Sequence, residues 1–262
     1  MPNKRCPVCN HTMQHLFTCK VLQRHDADYS HCSKCELIQT INPHWLDEAY
    51  SNAITSHDIG LLDRNIKYSK ALTPLLYNTF GTQGKYLDTA GGYGVFTRLM
   101  RDTGFEFEHT DKYCENLFAK HFEATRSHYD AITAFEVMEH VTDPVEFMKT
   151  DILPHSPKFV IFSTLTYSGP PPSNDWWYYA FDTGQHISFY TKTTLTKIAQ
   201  ALGYSYHSLR GQLHLFAPIE HSTANLHKAF SHGLFNIKEA RIRKKMKRIK
   251  LKKRDAEFVK TH

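Results

Sequence analysis

The sequence predicts an α/β protein, a doubly wound and mostly parallel sheet flanked by a small cysteine ribbon and a basic helical tail. Three stretches predict it. "CPVC" and "CSKC", residues 6–9 and 32–35, pair four of the six cysteines. "GKYLDTAGGYGVFTRLMRDTG", residues 84–104, reads as strand, glycine turn and helix, the opening of a doubly wound domain. "KEARIRKKMKRIKLKKR", residues 238–254, carries 11 basic residues against one acidic residue. The boundaries that follow are 1–40 for the ribbon, 41–80 for a helical linker, 81–220 for the α/β domain and 221–262 for the tail. A chain of 262 residues, 41% of them hydrophobic, can bury a core of that size.

In the ribbon, two residues between thiols let both sulfurs of one turn reach one ion. A second such turn completes a tetrahedral four-thiolate shell, the geometry zinc prefers. Zn²⁺ on Cys6, Cys9, Cys32 and Cys35 would be structural, stapling a segment too short to hold itself together. Two disulfides or a redox pair are the competing readings, and disulfides call for an oxidising compartment. "MPNKRCPVCN" lacks the apolar core of a signal peptide, and no run approaches the roughly 18 apolar residues of a membrane span, so a cytoplasmic location is expected. Cys19, His25 and His31 lie between the knuckles and read as ordinary loop residues. "YSHCSKCELIQT" reads as strand into and out of the second knuckle. In the linker, Leu61, Leu62, Ile66, Leu72, Leu75 and Leu76 are the expected packing residues of helices.

The central stretch places a strand at Lys85–Thr89, then Ala90, Gly91, Gly92, Tyr93 and Gly94, then a helix ending at Gly104. A dinucleotide domain begins the same way. Asp88 tilts the reading, because a carboxylate ahead of the glycines repels a pyrophosphate and suits a ligand with an amino group. Asp111 ends the next strand, where a carboxylate can take both hydroxyls of a ribose.

"LDTAGGYG" resembles the glycine loop of class I S-adenosylmethionine-dependent methyltransferases, "AITAFEVMEHVTDPVEF" their fourth strand and following helix, and "FVIFSTLT" their fifth strand. "GQHISFYTKTTL" resembles a segment of one broad subfamily, whose members with an N-terminal zinc ribbon often accompany surface-polysaccharide genes. The resemblance covers about residues 1–217 and implies a Rossmann-like sheet of seven strands. It implies S-adenosylmethionine as cofactor, with Asp88, Ala90, Gly91, Gly92, Gly94, Asp111 and Glu136 around it. Ala90 stands where the family usually has glycine, which suits alanine if its φ is negative. "DKYCENLFAKHFEATRSHYD" leaves little room for a helix between the second and third strands, so a shortened crossover is expected.

Residues 129–135 read as a buried strand that delivers Glu136 to the ligand rim. A helical turn would set Glu139 and His140 over the same face, and Asp143-Pro144 reads as the cap of the next helix. These groups could simply hold a loop. The E-x-x-E-H pattern with a distant histidine, His186, also resembles ubiquinone-pathway O-methyltransferases and enzymes that methylate the terminal 2′-hydroxyl of small RNAs. That resemblance implies a second divalent metal on Glu136, Glu139, His140 and His186; without one, His140 or His186 could serve as general base.

"YSGPPPSNDWWYYAFDTGQH" reads as a lid whose prolines bar a helix and whose aromatics either pack or meet a sugar or base. A helix capped by Thr191 and ended by Gly203 follows, then two strands about Gly211. Ile242, Met246 and Ile249 share a face of the tail, which suits an anionic membrane surface or nucleic acid. The expected activity is methylation of a sugar hydroxyl on a small-molecule or glycan acceptor, near the inner membrane. The rivals are metal-dependent RNA 2′-O-methylation and a non-catalytic RNA- or membrane-binding scaffold.

Overall fold

The computed structural model describes residues 4–50, 59–220 and 235–261. The chain begins with strands β1 (Gln14–Val21), β2 (His25–His31) and β3 (Ile38–Thr40), then helices α1 (Leu46–Ala49) and α2 (Leu61–Phe80). Next come β4 (Lys85–Thr89), α3 (Val95–Thr103), β5 (Glu106–Thr110), β6 (Ala131–Ala134), α4 (Pro144–Phe147) and β7 (Phe159–Ser163). Strand β8 (Ser188–Phe189), helix α5 (Lys192–Ala201), and strands β9 (Tyr204–Ser208) and β10 (Leu213–Pro218) follow. Two helices end the described chain, α6 (Phe235–Lys247) and α7 (Leu251–Thr261). None of these helices is long and apolar enough to cross a membrane.

The central sheet has the order β5-β4-β6-β7-β10-β9. Strand β4 pairs in parallel with β5 and β6, and β9 pairs antiparallel with β10. This is the expected doubly wound class, but with six strands among the described residues where seven were expected. The missing one is the strand after the shortened crossover, reduced to a single parallel bridge from His109 to Glu123. Side chains occupy the backbone there in place of a helix. Asp111 accepts from the Tyr113 and Cys114 amides, and Glu108 accepts from the Thr125 amide and the Tyr129 hydroxyl. Such local bonds offer the backbone an alternative to helix.

The local signals elsewhere behave as their chemistry dictates. Asp143 caps α4 by accepting from the Val145 and Glu146 amides, with Pro144 in the first turn. Thr191 caps α5 in a reciprocal box with Thr194, and Gly203 follows with φ 78°. Leu72, Leu75 and Leu76 are buried in α2, whereas Leu62 and Ile66 are 61% and 42% exposed. The buried residues of α2 run from Ser69 to Leu76, so those two, in its first turns, do not pack as expected.

The contacts divide the chain into two compact units. One comprises Ser56–Ala134, Pro154–Val160 and Glu220–His262, and so holds the glycine loop and the tail. The other comprises Met1–Thr55, Phe135–Leu153 and Ile161–Ile219. In this second unit the ribbon is not a separate domain. Its sheet has the order β1-β2-β3-β8, because β8 pairs antiparallel with β3 through Ile38–Phe189 and Gln39–Ser188. A shared core of Tyr29, Ile38, Trp45, Tyr178, Tyr179 and Phe189 fills it. The tail is likewise docked helix, with Met246 buried and Ile242 and Ile249 half-buried; residues 221–234 of the expected tail lie outside the described residues.

Candidate active site

The glycine loop runs from β4 to α3. Asp88 is 1% exposed, and its oxygens accept from the Thr133 hydroxyl at 2.7 Å and the Thr97 hydroxyl at 3.1 Å. Burial pushes its carboxyl up to about 6, against the pull of those hydroxyls and of His109. Gly91 has no space for a side chain: an added Cβ would lie 2.6 Å from Asp88 Oδ2 and 2.7 Å from His109 Cδ2. Gly92 and Gly94 take φ of 57° and 83°, which glycine adopts at little cost. His109 donates from Nε2 to the Gly92 carbonyl at 2.9 Å, and the Gly92 amide donates to Asp111 Oδ2 at 2.8 Å. Asp111 therefore ties the loop to the following turn, just beyond β5. Its carboxylate still has acceptor capacity beyond these bonds.

Ala90 departs from expectation, with φ 52° rather than a negative value. The turn demands a left-handed residue, and a Cβ there costs about 1–2 kcal/mol. Ala90→Gly is expected to raise stability by about 0.5–1 kcal/mol, once the extra freedom of glycine in the unfolded chain is deducted. An unchanged or lower urea midpoint would refute the strain.

Asp88 supplies a second prediction. A carboxyl of about 6 when folded and ~3.9 when unfolded holds its proton in the folded state across that interval. Stability then falls as pH rises from about 4 to about 6, and levels off above. Asp88→Asn, able to bond both threonines, is expected to flatten this decline and stabilise the protein at pH 8 by up to roughly 3 kcal/mol. Urea melts across pH 4–8 read it; an unaltered slope overturns it.

The four ribbon cysteines converge. Cys6 and Cys35 Sγ are 3.3 Å apart, Cys9 and Cys32 Sγ 3.5 Å, and all four sulfurs lie within 4.8 Å of one another. These are free thiols, too far apart for S–S bonds of ~2.05 Å and at the separations a tetrahedral ion with ~2.3 Å arms requires. The donor set fits Zn²⁺. The Cys35 thiol beside it draws the Cys6 thiol down to about 5. Cys19, His25 and His31 are not in this cluster; His25 pairs with Glu48.

Beyond β6 the chain turns sharply at Glu136, whose φ is 53°. Its amide donates to Ser163 Oγ at 2.8 Å, and its carboxylate accepts from the same hydroxyl. A 3₁₀ turn at Met138–His140 then presents Glu139 and His140. One oxygen of Glu139 and one nitrogen from each of His140 and His186 lie within 4.8 Å of one another. Three of the four residues expected to share a metal thus meet, while Glu136 is not in that cluster.

The protonation pattern follows from the partners. His140 Nδ1 donates to the Gln185 carbonyl at 3.0 Å, and His186 Nδ1 donates to the Tyr178 carbonyl at 2.7 Å. Carbonyls only accept, so each Nδ1 carries a hydrogen and the ring nitrogen Nε2 is left for other partners. Glu139 is fully buried, with Oε1 accepting from the Tyr178 hydroxyl at 2.9 Å. Its Oε2 is buried and has no hydrogen-bond partner among the described residues. Burial and the neighbouring His186 push the His140 imidazole down to about 3, so it stays neutral. A buried carboxylate oxygen without a donor among the described residues, with two imidazoles beside it, suits a cation or a hydroxyl.

Sequence reasoning passed over Tyr178, which grips Glu139 with its hydroxyl and His186 with its carbonyl, and likewise His109 and Ser163. No local motif marks them. In the lid, Tyr178 and Tyr179 are buried in the ribbon core while Trp177 is 71% exposed. The ribbon braces this cluster directly. The Ile187 amide donates to the Glu139 carbonyl at 2.8 Å, and the Thr40 amide to the Ile187 carbonyl at 2.9 Å. Gln39 Nε2 donates to Ser188 Oγ at 2.9 Å and to the Thr142 carbonyl at 2.6 Å.

Several solved structures resemble this chain in part. The plantazolicin methyltransferase BpumL, in complex with SAH, is 13% identical, with 76% of this chain and 84% of that one covered and a TM-score of 0.45. The 1,6-didemethyltoxoflavin-N1-methyltransferase of Burkholderia thailandensis is 12% identical over 72% and 93% of the two chains, at 0.48. CalO1, a methyltransferase in calicheamicin biosynthesis, is 13% identical over 67% of each, at 0.42. Likeness at that level transfers no substrate. No curated protein matches the sequence. A family model described as a methyltransferase domain matches residues 62–209, from α2 to the end of β9. The chain therefore belongs to the methyltransferase-domain family and is a class I S-adenosylmethionine-dependent methyltransferase.

Proposed function

We propose that this enzyme methylates a hydroxyl group of a sugar, with Glu139, His140 and His186 receiving that hydroxyl. The observation that carries the reading is the convergence of one nitrogen from each of His140 and His186 on the buried Glu139, whose Oε2 has no hydrogen-bond partner among the described residues. Buried polar atoms are costly without partners, so a ligand that donates hydrogen bonds or brings positive charge completes the cluster. A carboxylate with two imidazoles also suits Mn²⁺, Zn²⁺ or Fe²⁺, which would act there as a Lewis acid toward the acceptor oxygen.

Each group has a defined task in this reading. Asp88 and Asp111 fix the glycine loop that takes the cofactor, and Asp111 keeps acceptor capacity for its ribose. His140 and His186 hold the acceptor hydroxyl and His186 draws off its proton, Tyr178 orients Glu139 and His186, and Trp177 offers a face for a sugar ring. Most of the acceleration would come from alignment. The location expected is cytoplasmic, with acceptors that include nucleotide sugars and lipid-linked glycans.

The test is transfer of labelled methyl from S-adenosylmethionine to a panel of nucleotide sugars and oligosaccharides, with the product position read by NMR. An O-methyl sugar that His186→Asn fails to yield supports the reading. Methylation at nitrogen or carbon would refute the acceptor class, and no cofactor binding at millimolar concentration would refute catalysis.

A further inference from the structure

Residues 238–254 belong to a helical hairpin in which α6 and α7 pack on α3, and α6 also on α2. Met246 and Leu251 are buried, and Met246 presses on Gly104, where an added Cβ would come within 2.7 Å of the Met246 carbonyl oxygen. Two of the acids turn inward, while Glu257 on α7 is exposed and lies 3.8 Å from Lys253. Asp255 receives Arg101 through Nε at 2.9 Å and Nη2 at 2.6 Å, and Arg98 at 3.0 Å, while Glu239 pairs with Arg243. Of the 11 basic residues in 238–254, ten are exposed, and Arg243 is the exception. Around the turn, apolar and acidic groups are thus held by the protein and cations face outward, while Phe258 and Val259 near the end of α7 are 41% and 43% exposed.

A cleft of about 700 Å³ opens beside the hairpin turn, lined by Lys247, Lys250, Lys252 and Lys253 among others. Asp102 is the one acid on its wall, and Arg98 engages it at 2.8 Å.

We propose that this hairpin binds the phosphodiester backbone of single-stranded nucleic acid, with phosphates entering the lysine cleft. A bilayer is the poorer fit for two reasons. An amphipathic helix inserts with its apolar face, and beside the lysine cleft Met246 and Leu251 are spent on the fold, the exposed Phe258 and Val259 lying outside its lining. A flat headgroup plane meets only the rim of a concavity, whereas a flexible phosphate chain follows a basic groove. Binding of this kind is electrostatic and indifferent to base sequence. The inference rests on charge and shape alone and is independent of which hydroxyl is methylated.

The experiment uses the full chain and a fluorescein-labelled uridine 20-mer, followed by anisotropy between 50 and 200 mM NaCl. Contact with three or four phosphates gives a log–log slope of about −2 to −3, so affinity should fall roughly 15- to 60-fold over that range. The double variant Lys247→Glu/Lys250→Glu is expected to bind at least tenfold more weakly, with thermal midpoint and S-adenosylmethionine affinity unaltered. The proposal is overturned by absence of binding at 50 mM salt or by equal binding of the variant. It is also overturned if phosphatidylserine vesicles capture the protein through these lysines while RNA does not bind.

Discussion

Cys35→Ser is expected to abolish acceptor methylation while S-adenosylmethionine binding persists. The reason is mechanical. The ribbon's metal-binding turn at Cys35 is tied to the cap of α5, where Thr194 Oγ1 donates to the Cys35 carbonyl at 2.7 Å. Four residues on, β3 pairs with β8, which follows directly on His186. The Ile187 amide and carbonyl join Glu139 to Thr40. Losing one thiolate of four removes most of the ion's hold. A structural zinc contributes about 10 kcal/mol or more of folding free energy in small metal-dependent domains. That exceeds what the remaining short strands can supply, so the four-stranded sheet should open locally. Hydrogen exchange is the direct readout: protection should fall at 36–41, 138–142 and 186–190 and stay at 86–92. Undiminished protection at 186–190 in the variant, or in protein stripped of zinc, would refute the bracing role.

The sheet core was legible in the sequence because its signals are local. A strand ending in Asp88, glycines that must turn, and caps at Asp143 and Thr191 each act within a few residues, and each stands where its chemistry requires. The shortened crossover was legible too, but not its consequence, the loss of a strand to one bridge at Glu123. Ala90 was misjudged because the φ of a loop residue is set by its neighbours: Gly91 must lie against Asp88 and His109, and that approach fixes the turn before it. The union of ribbon and lid was not legible at all. It depends on β3 meeting a two-residue strand about 150 positions away, a pairing with no periodicity to betray it. The same holds for Tyr178. Among four consecutive aromatics, only the tertiary fold distinguishes the one whose hydroxyl reaches Glu139 from Trp177, which faces solvent.

Glu139→Gln is expected to lower turnover by about 100- to 10,000-fold, the range that loss of a positioned acid–base group commands. The substitution nearly preserves volume and keeps a group that can accept from Tyr178, so the turn at Met138–His140 should stand. What it removes is negative charge beside two imidazoles whose Nδ1 atoms donate to backbone carbonyls. Cofactor affinity should change less than threefold. Metal content separates the two ways in which this cluster could work. With Mn²⁺ in excess, the wild type is expected to hold one ion beyond the ribbon zinc, and Glu139→Gln to hold the zinc alone. Tyr178→Phe should weaken the second ion by about 10- to 100-fold, as expected when an orienting partner of a metal ligand is lost, without removing any ligand itself. If the wild type holds no ion beyond the ribbon zinc, the metal is excluded, and a large fall in turnover then assigns the step to His186 as base. If turnover also survives, the cluster holds the loop and the acceptor hydroxyl is bound elsewhere.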